Sequence, residues 1–262
     1  MQKLVEKIET PGGLLAGAMA VSAHQMPDAK PGQVRQEIEK IASTIRTRVR
    51  GSQPQALLAH LHDELFENRG LCGNIEDYYN PLNSYLPAVL ETGKGLPITL
   101  SLVYKLVADQ LGIPCGGLGL PGHFMIVTEF DGAPLLIDPF HKGQALSRTE
   151  AIRRVHESFG DDVDVSPDLL EPVSNRAWIT RVLQNLLHAF GSAGQYVEVA
   201  AMLELEMLLW PKQAQLQRDL GLVLARAGMA EPATQWLNHY LRHNPSDPQK
   251  QDLTQLLEAL AG

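Results

Sequence analysis

Within the stretch from Gly95 to Gly143, GLPITLSLVYKLVADQLGIPCGGLGLPGHFMIVTEFDGAPLLIDPFHKG, His123 and Asp138 have the types and spacing for acid–base work. An imidazole takes and returns a proton near neutral pH, and a carboxylate beside it fixes its tautomer and orientation. The pair completes a hydrolytic or acyl-transfer site only when a thiol or hydroxyl stands across the ring. Cys72 lies in a loop rich in aromatics, Ser101 inside an apolar helix, and Cys115 after Pro114 at the start of a strand. For the last two a plainer role is expected: a packing serine bonded to a backbone carbonyl, and an inert buried thiol. Without a nucleophile, two roles for His123 and Asp138 stay open. They form a structural hydrogen bond that satisfies the imidazole, or they hold a carboxylate or amide in a cleft.

The elements that must position the pair are legible. Pro97 to Leu111 reads as a core helix, with proline in its first turn and an apolar face of Ile98, Leu102 and Leu106 flanked by Val103 and Val107. Leu111-Gly112-Ile113-Pro114 ends it. Cys115 to Leu120, Gly122 to Phe130 and Pro134 to Ile137 then read as strands of a small antiparallel sheet, with Asp131-Gly132 as the hairpin turn. Ser147-Arg148-Thr149-Glu150 has capping-box spacing ahead of a helix to about Phe159.

Upstream, proline and glycine breaks divide the first 70 or so residues into three or four helices. One carries the stripe Val34, Ile38, Ile41, Ile45 and Val49, and the next carries Leu57, Leu58, Leu61, Leu65 and Phe66, ending at Gly70. Cys72 to Tyr85 mixes turn formers with tyrosines, as a structural loop or as the wall of a site, with Tyr79 and Asn83 as candidate ligand contacts. Ser84 or Asn83 is expected to cap a short helix that ends at Thr92-Gly93.

Downstream, Gly160 to Ser174 is polar and twice interrupted by proline, which places a linker at 166–174 between a domain at 1–165 and another at 175–262. In the second, an offset of 34 residues puts Leu186 on Leu220, Phe190 on Leu224, Gly194 on Gly228, Leu203 on Leu237 and Pro211 on Pro245. The period, the inter-helix glycine and the terminal proline resemble two tetratricopeptide repeats, with Gln249 to Leu260 as a capping helix. Leu187, Glu206 and Tyr240 depart from that pattern where small residues belong.

A formal charge of −8 gives no electrostatic reason for nucleic acid or an anionic membrane as a partner. The beginning MQKLVEKIET has no apolar core behind a basic start, and Gly12 to Ala23 is too short to span a bilayer, so a cytoplasmic chain is expected. No cofactor or metal is expected. His60 and His62 face opposite sides of a helix, His239 and His243 lack a third ligand nearby in sequence, and no glycine-rich phosphate loop occurs.

Leu111-Gly112-Ile113-Pro114, His123 and Ile137-Asp138-Pro139 together resemble the transglutaminase-like fold related to papain-type proteases. NSYL, GLPITLSLVY, LGLPGHF and IDPF more narrowly resemble the bacterial SirB family, transglutaminase-like proteins with a tetratricopeptide tail. The resemblance implies an α+β fold and a catalytic cysteine opening the helix before Leu111, with His123 as base and Asp138 orienting it. That cysteine's expected place is held by Pro97, between Leu96 and Ile98, none of which can attack. The expected function is therefore a catalytically degenerate module that binds a peptide or protein through the His123/Asp138 cleft, with Pro97, Asn83 and Tyr79 lining it, or through the tail. The rival is an amide hydrolase or acyltransferase using Cys72 or Ser101. A structural or regulatory protein with a closed cleft is the third reading.

Overall fold

The helix at Pro97–Leu111 is apolar on nearly every side, and the first part of the chain is built around it. In the computed structural model, which describes residues 5–49, 53–159 and 171–261, eleven residues of this helix are buried. The chain divides into two compact units, Lys7–Val182 and Leu183–Gly262.

In the first unit, the helices α1 (Gly13–Ser22), α2 (Pro31–Arg48) and α3 (Pro54–His62) precede a π-helical turn at Asp63–Asn68. Val34, Ile38, Ile41 and Ile45 face the core as their spacing predicts, whereas Val49 lies just past the helix end and is half-buried. Gly70 takes φ 66°, the left-handed conformation that stops the chain there. The chain then forms β1 (Cys72–Gly73), a 3-10 turn at Pro81–Ser84, α4 (Leu86–Thr92), β2 (Lys94–Gly95) and α5 (Pro97–Leu111). β1 and β2 pair in parallel, with Cys72 opposite Lys94.

The expected cap of α4 is corrected. Its N-cap is Tyr85, with no side-chain cap. Asn80 instead caps the preceding 3-10 turn, through the Leu82 N–H at 2.9 Å. Asn83 is buried and holds the loop from inside, its amide donating to the carbonyls of Asp77 at 2.7 Å and Tyr78 at 3.1 Å.

A four-stranded antiparallel sheet follows in the order β3 (Cys115–Leu120), β4 (His123–Phe130), β5 (Ala133–Asp138), β6 (Gln144–Leu146). Asp131 at φ 51° and Gly132 at φ 76° make the expected tight turn, while β6 is an addition to the three predicted strands. Alternation sorts the faces. Leu118, Leu120, Met125, Leu136 and Leu146 pack on Ala151 and Val155 of α6 (Arg148–Phe159). On β4's opposite face Phe124 meets Trp178, ring centroids 4.6 Å apart. The capping box of α6 is formed: the Ser147 N–H donates to Glu150 Oε2 at 2.7 Å, and the Glu150 N–H to Ser147 Oγ at 3.3 Å. The expected linker lies outside the described residues as far as residue 170.

The second unit begins within α7 (Asn175–Ser192) and continues through α8 (Tyr196–Leu209), α9 (Ala214–Arg226), α10 (Ala230–His243) and α11 (Lys250–Ala261). Its backbone repeats at the 34-residue offset of the sequence. Gly194 and Gly228 take φ 68° and 75°, and the residues opening α8 and α10, Gln195 and Met229, have φ, ψ of −86°, 67° and −94°, 70°. The closing residues Trp210 and Asn244 agree as closely, at −126°, 64° and −129°, 61°. Gly221 lets α9 and α10 approach: a Cβ there would lie 2.7 Å from the Leu237 side chain and 3.3 Å from its backbone nitrogen. Gly221→Leu is expected to cost about 1–3 kcal/mol through overpacking, read as a lower melting temperature. An unchanged melting temperature would remove the close approach.

Candidate functional site

Pairing register brings the acid–base pair together. Ile126 stands opposite Ile137, so Met125 falls opposite Asp138, and His123 shares that face at the diagonal position. Pro121-Gly122, with Gly122 at φ 63°, turns the chain tightly from Leu120 into His123. The Arg181 guanidinium braces this turn, donating to the carbonyls of Leu120 at 2.9 Å and His123 at 3.1 Å.

Asp138 is fully buried and saturated with donors. As N-cap of the 3-10 turn Pro139–His141, it accepts at Oδ1 from the Phe140 N–H at 3.1 Å and the His141 N–H at 3.3 Å. Its Oδ2 accepts from His123 Nε2 at 2.9 Å, from His141 Nδ1 at 2.8 Å and, more loosely, from Arg154 Nη1 at 3.4 Å. Arg154 Nη2 also donates to Gln144 Oε1 at 2.7 Å. Burial alone pushes the Asp138 carboxyl up, but hydrogen bonds and charge from His123 and His141 outweigh it and hold the group below its ordinary value. A carboxylate only accepts, so the bonded ring nitrogens are donors, leaving Nδ1 of His123 and Nε2 of His141 for other contacts.

His123, Asp138, His141 and Arg154 line one cavity of about 340 Å³, with Met125, Ala151 and Val155 as its apolar wall. A second cavity of about 480 Å³ is lined by Cys72, Asn74, Ile75, Glu76, Lys94 and Phe140, and again by His141. There Lys94 Nζ donates to Cys72 Sγ at 3.0 Å, which pushes the lysine up. Phe140 stands edge-on to His123, ring centroids 6.1 Å apart, and Gly73 makes room for it: a Cβ at Gly73 would fall 2.4 Å from its ring.

Among the described residues, the His123 ring has one hydrogen bond, to Asp138, and no thiol or hydroxyl reaches it. Ser101 is fully buried in α5 and lines neither cavity. Its Oγ has no hydrogen-bond partner among the described residues, so the expected bond to a backbone carbonyl is corrected. Burial pushes the Cys115 thiol up to about 12, consistent with an inert thiol. Pro97 and Asn83 are buried and Tyr79 is exposed, and none of the three lines either cavity. Sequence reasoning missed His141, Arg154 and Lys94. His62, set aside there, is a largely buried ring pushed down to about 4 by desolvation, its Nε2 3.1 Å from the Tyr104 hydroxyl.

A buried helix followed by a small antiparallel sheet that carries a bonded His–Asp pair on adjacent strands is the arrangement that the transglutaminase-like resemblance implies. The family model described as the transglutaminase-like superfamily matches residues 32–184, and the chain belongs to that superfamily. It is similar to a UPF0162 protein of Xylella fastidiosa (strain 9a5c), 30% identical over 240 residues that cover 89% of this chain and 84% of that protein. A UPF0162 protein of Vibrio cholerae is 22% identical over 95% of this chain and 92% of its own length. F-box only protein 21 of Mus musculus is 32% identical over 58% of this chain, which is 25% of that larger protein. No solved structure matches the chain.

Proposed function

We propose that this protein is a catalytically degenerate transglutaminase-like module that binds a peptide or protein partner. The observation that carries this reading is an assembled His123–Asp138 pair whose ring meets no thiol or hydroxyl among the described residues. Pro97 stands at the helix start where the family resemblance calls for a cysteine. The cavity beside the pair offers histidine and arginine side chains on an apolar floor, which suits a peptide carboxylate or amide. The helices from α7 onward read as two tetratricopeptide repeats with α11 as their cap, supported by the 34-residue agreement in backbone angles, and they offer a second partner surface. With that tail, the chain fits the SirB-type architecture and a cytoplasmic location. No helix among the described residues is long and apolar enough to cross a membrane.

The test pairs binding with turnover. Arg154→Ala is expected to lower retention on a peptide array about fivefold, the effect of losing roughly 1 kcal/mol of contact. Activated esters and amides should show no turnover dependent on His123. Retention indifferent to Arg154 and to substitutions along α8 and α10 would end the binding reading.

One observation favours the rival, an amide hydrolase or acyltransferase. Cys72, bonded by Lys94, shares a cavity with His141, a ring oriented by Asp138. In that mechanism His141 rather than His123 takes the Cys72 proton, the thiolate attacks the carbonyl to form an acyl-enzyme, and the proton passes to the amine or alcohol that leaves as its bond to the carbonyl breaks. An acyl-enzyme burst that disappears in Cys72→Ser would establish it.

A further inference from the structure

We propose that His123, Asp138 and His141 form a binding site for a divalent transition-metal ion, zinc or a similar borderline cation. Among the described residues this is the one group of three or more His, Cys, Asp or Glu side chains with ligand atoms close enough to share an ion, all within 4.8 Å of one another. Zinc holds nitrogen and oxygen ligands at about 2.0–2.2 Å, which in a tetrahedron puts neighbouring ligand atoms about 3.3 Å apart. Here Asp138 Oδ2 lies 2.9 Å from His123 Nε2 and 2.8 Å from His141 Nδ1, so these two pairs open by a few tenths of an ångström, while the two ring nitrogens, within 4.8 Å of each other, adjust toward the same spacing.

The support around the three ligands is that of a metal site. The N–H groups of Phe140 and His141 fix Asp138 Oδ1, leaving Oδ2 as a single, directed ligand. The pair diagonal on β4 and β5 and the 3-10 turn present the rings from rigid elements. Each imidazole would bind through the nitrogen that now donates to Asp138, its proton moving to the other ring nitrogen, so neither ring changes charge. The adjoining cavity of about 340 Å³ has room for water or another exogenous ligand on the ion. Two imidazoles and one carboxylate select zinc, cobalt or nickel over magnesium and calcium, which take oxygen ligands. Arg154, 3.4 Å from the same oxygen, opposes a cation and sets the affinity below that of a closed structural site.

This inference is independent of the binding reading above, because its readout is occupancy by metal. The full chain, stripped with a chelator, is titrated with Zn²⁺ by calorimetry and with Co²⁺ by visible absorption. The wild type is expected to take up one ion. His123→Ala and His141→Ala should each weaken uptake at least about tenfold, since even groups that only support a ligand are worth 10–100-fold. His239→Ala controls for the histidine pair on α10, whose rings lie 4.4 Å apart. Should His123→Ala fail to fold, His141→Ala decides, because that ring is 48% exposed. No uptake by the wild type, uptake unchanged in His141→Ala, or uptake lost with His239 would overturn the site.

Discussion

Truncating Trp178 to alanine is expected to cost about 3–5 kcal/mol, a large share of the 5–15 kcal/mol that holds an ordinary domain together. The indole is 1% exposed and lies 4.6 Å from Phe124, centroid to centroid. Its Nε1–H donates to the Ile98 carbonyl in the first turn of α5, at 3.3 Å. Gly117 exists to admit it: a Cβ there would sit 2.3 Å from the indole and 2.6 Å from Phe124. One side chain thus joins β3, β4 and α5 behind the strand that carries His123. For a unit of this size the loss corresponds to a melting temperature lower by roughly 6–20 °C. A shift under about 2 °C would mean that the indole anchors nothing.

Asp138→Asn should be nearly as damaging at neutral pH, and its cost should vanish in acid. An amide has one acceptor oxygen, where the carboxylate serves two backbone N–H groups, two imidazoles and Arg154. The expected cost is about 2–4 kcal/mol, below the usual 3–5 for breaking a fully buried pair, because both histidines keep some contact with water. The sign of the pH effect follows from the depressed folded-state pKa. The carboxylate's contribution is complete above its ordinary value of 3.8 and is lost as pH falls through the lower folded value. Urea midpoints of chelator-treated wild type and variant should therefore differ at pH 7 and draw together progressively as pH falls below about 4. A gap that does not narrow at all below pH 4 would put the stabilisation somewhere other than this carboxylate.

What could be read in the sequence was whatever a single element or a single turn encodes. α5 carries its own boundaries in Pro97 and Gly112, Asp131-Gly132 dictates a hairpin, and Ser147 with Glu150 writes its own cap. The hairpin turn and the alternation of β4 and β5 were enough to set His123 beside Asp138. β6 escaped because three residues with one buried side chain carry no period to detect. His141 was within reach: an aspartate followed by proline, with a donor three residues on, is a capping pattern that folds the ring back onto the carboxylate. Arg154 and the Cys72–Lys94 contact were beyond sequence reading, since one depends on how α6 settles on the sheet and the other on a parallel pairing across a loop. Asn83 looked like a cap and serves as a loop's internal strut, its amide held by the carbonyls of Asp77 and Tyr78 and its oxygen by the Asn74 amide.

His141 forms part of the wall of both cavities and is tied through Asp138 to His123. An occupant of either cavity meets the same imidazole, so any preference it has for one placement of that ring is passed to the other cavity, and in equal measure in both directions. The two cavities are coupled to the extent that their occupants prefer different placements of that one ring. Their contributions separate only through residues that belong to one alone: Met125 or Val155 on the sheet side, Ile75 or Glu76 on the loop side.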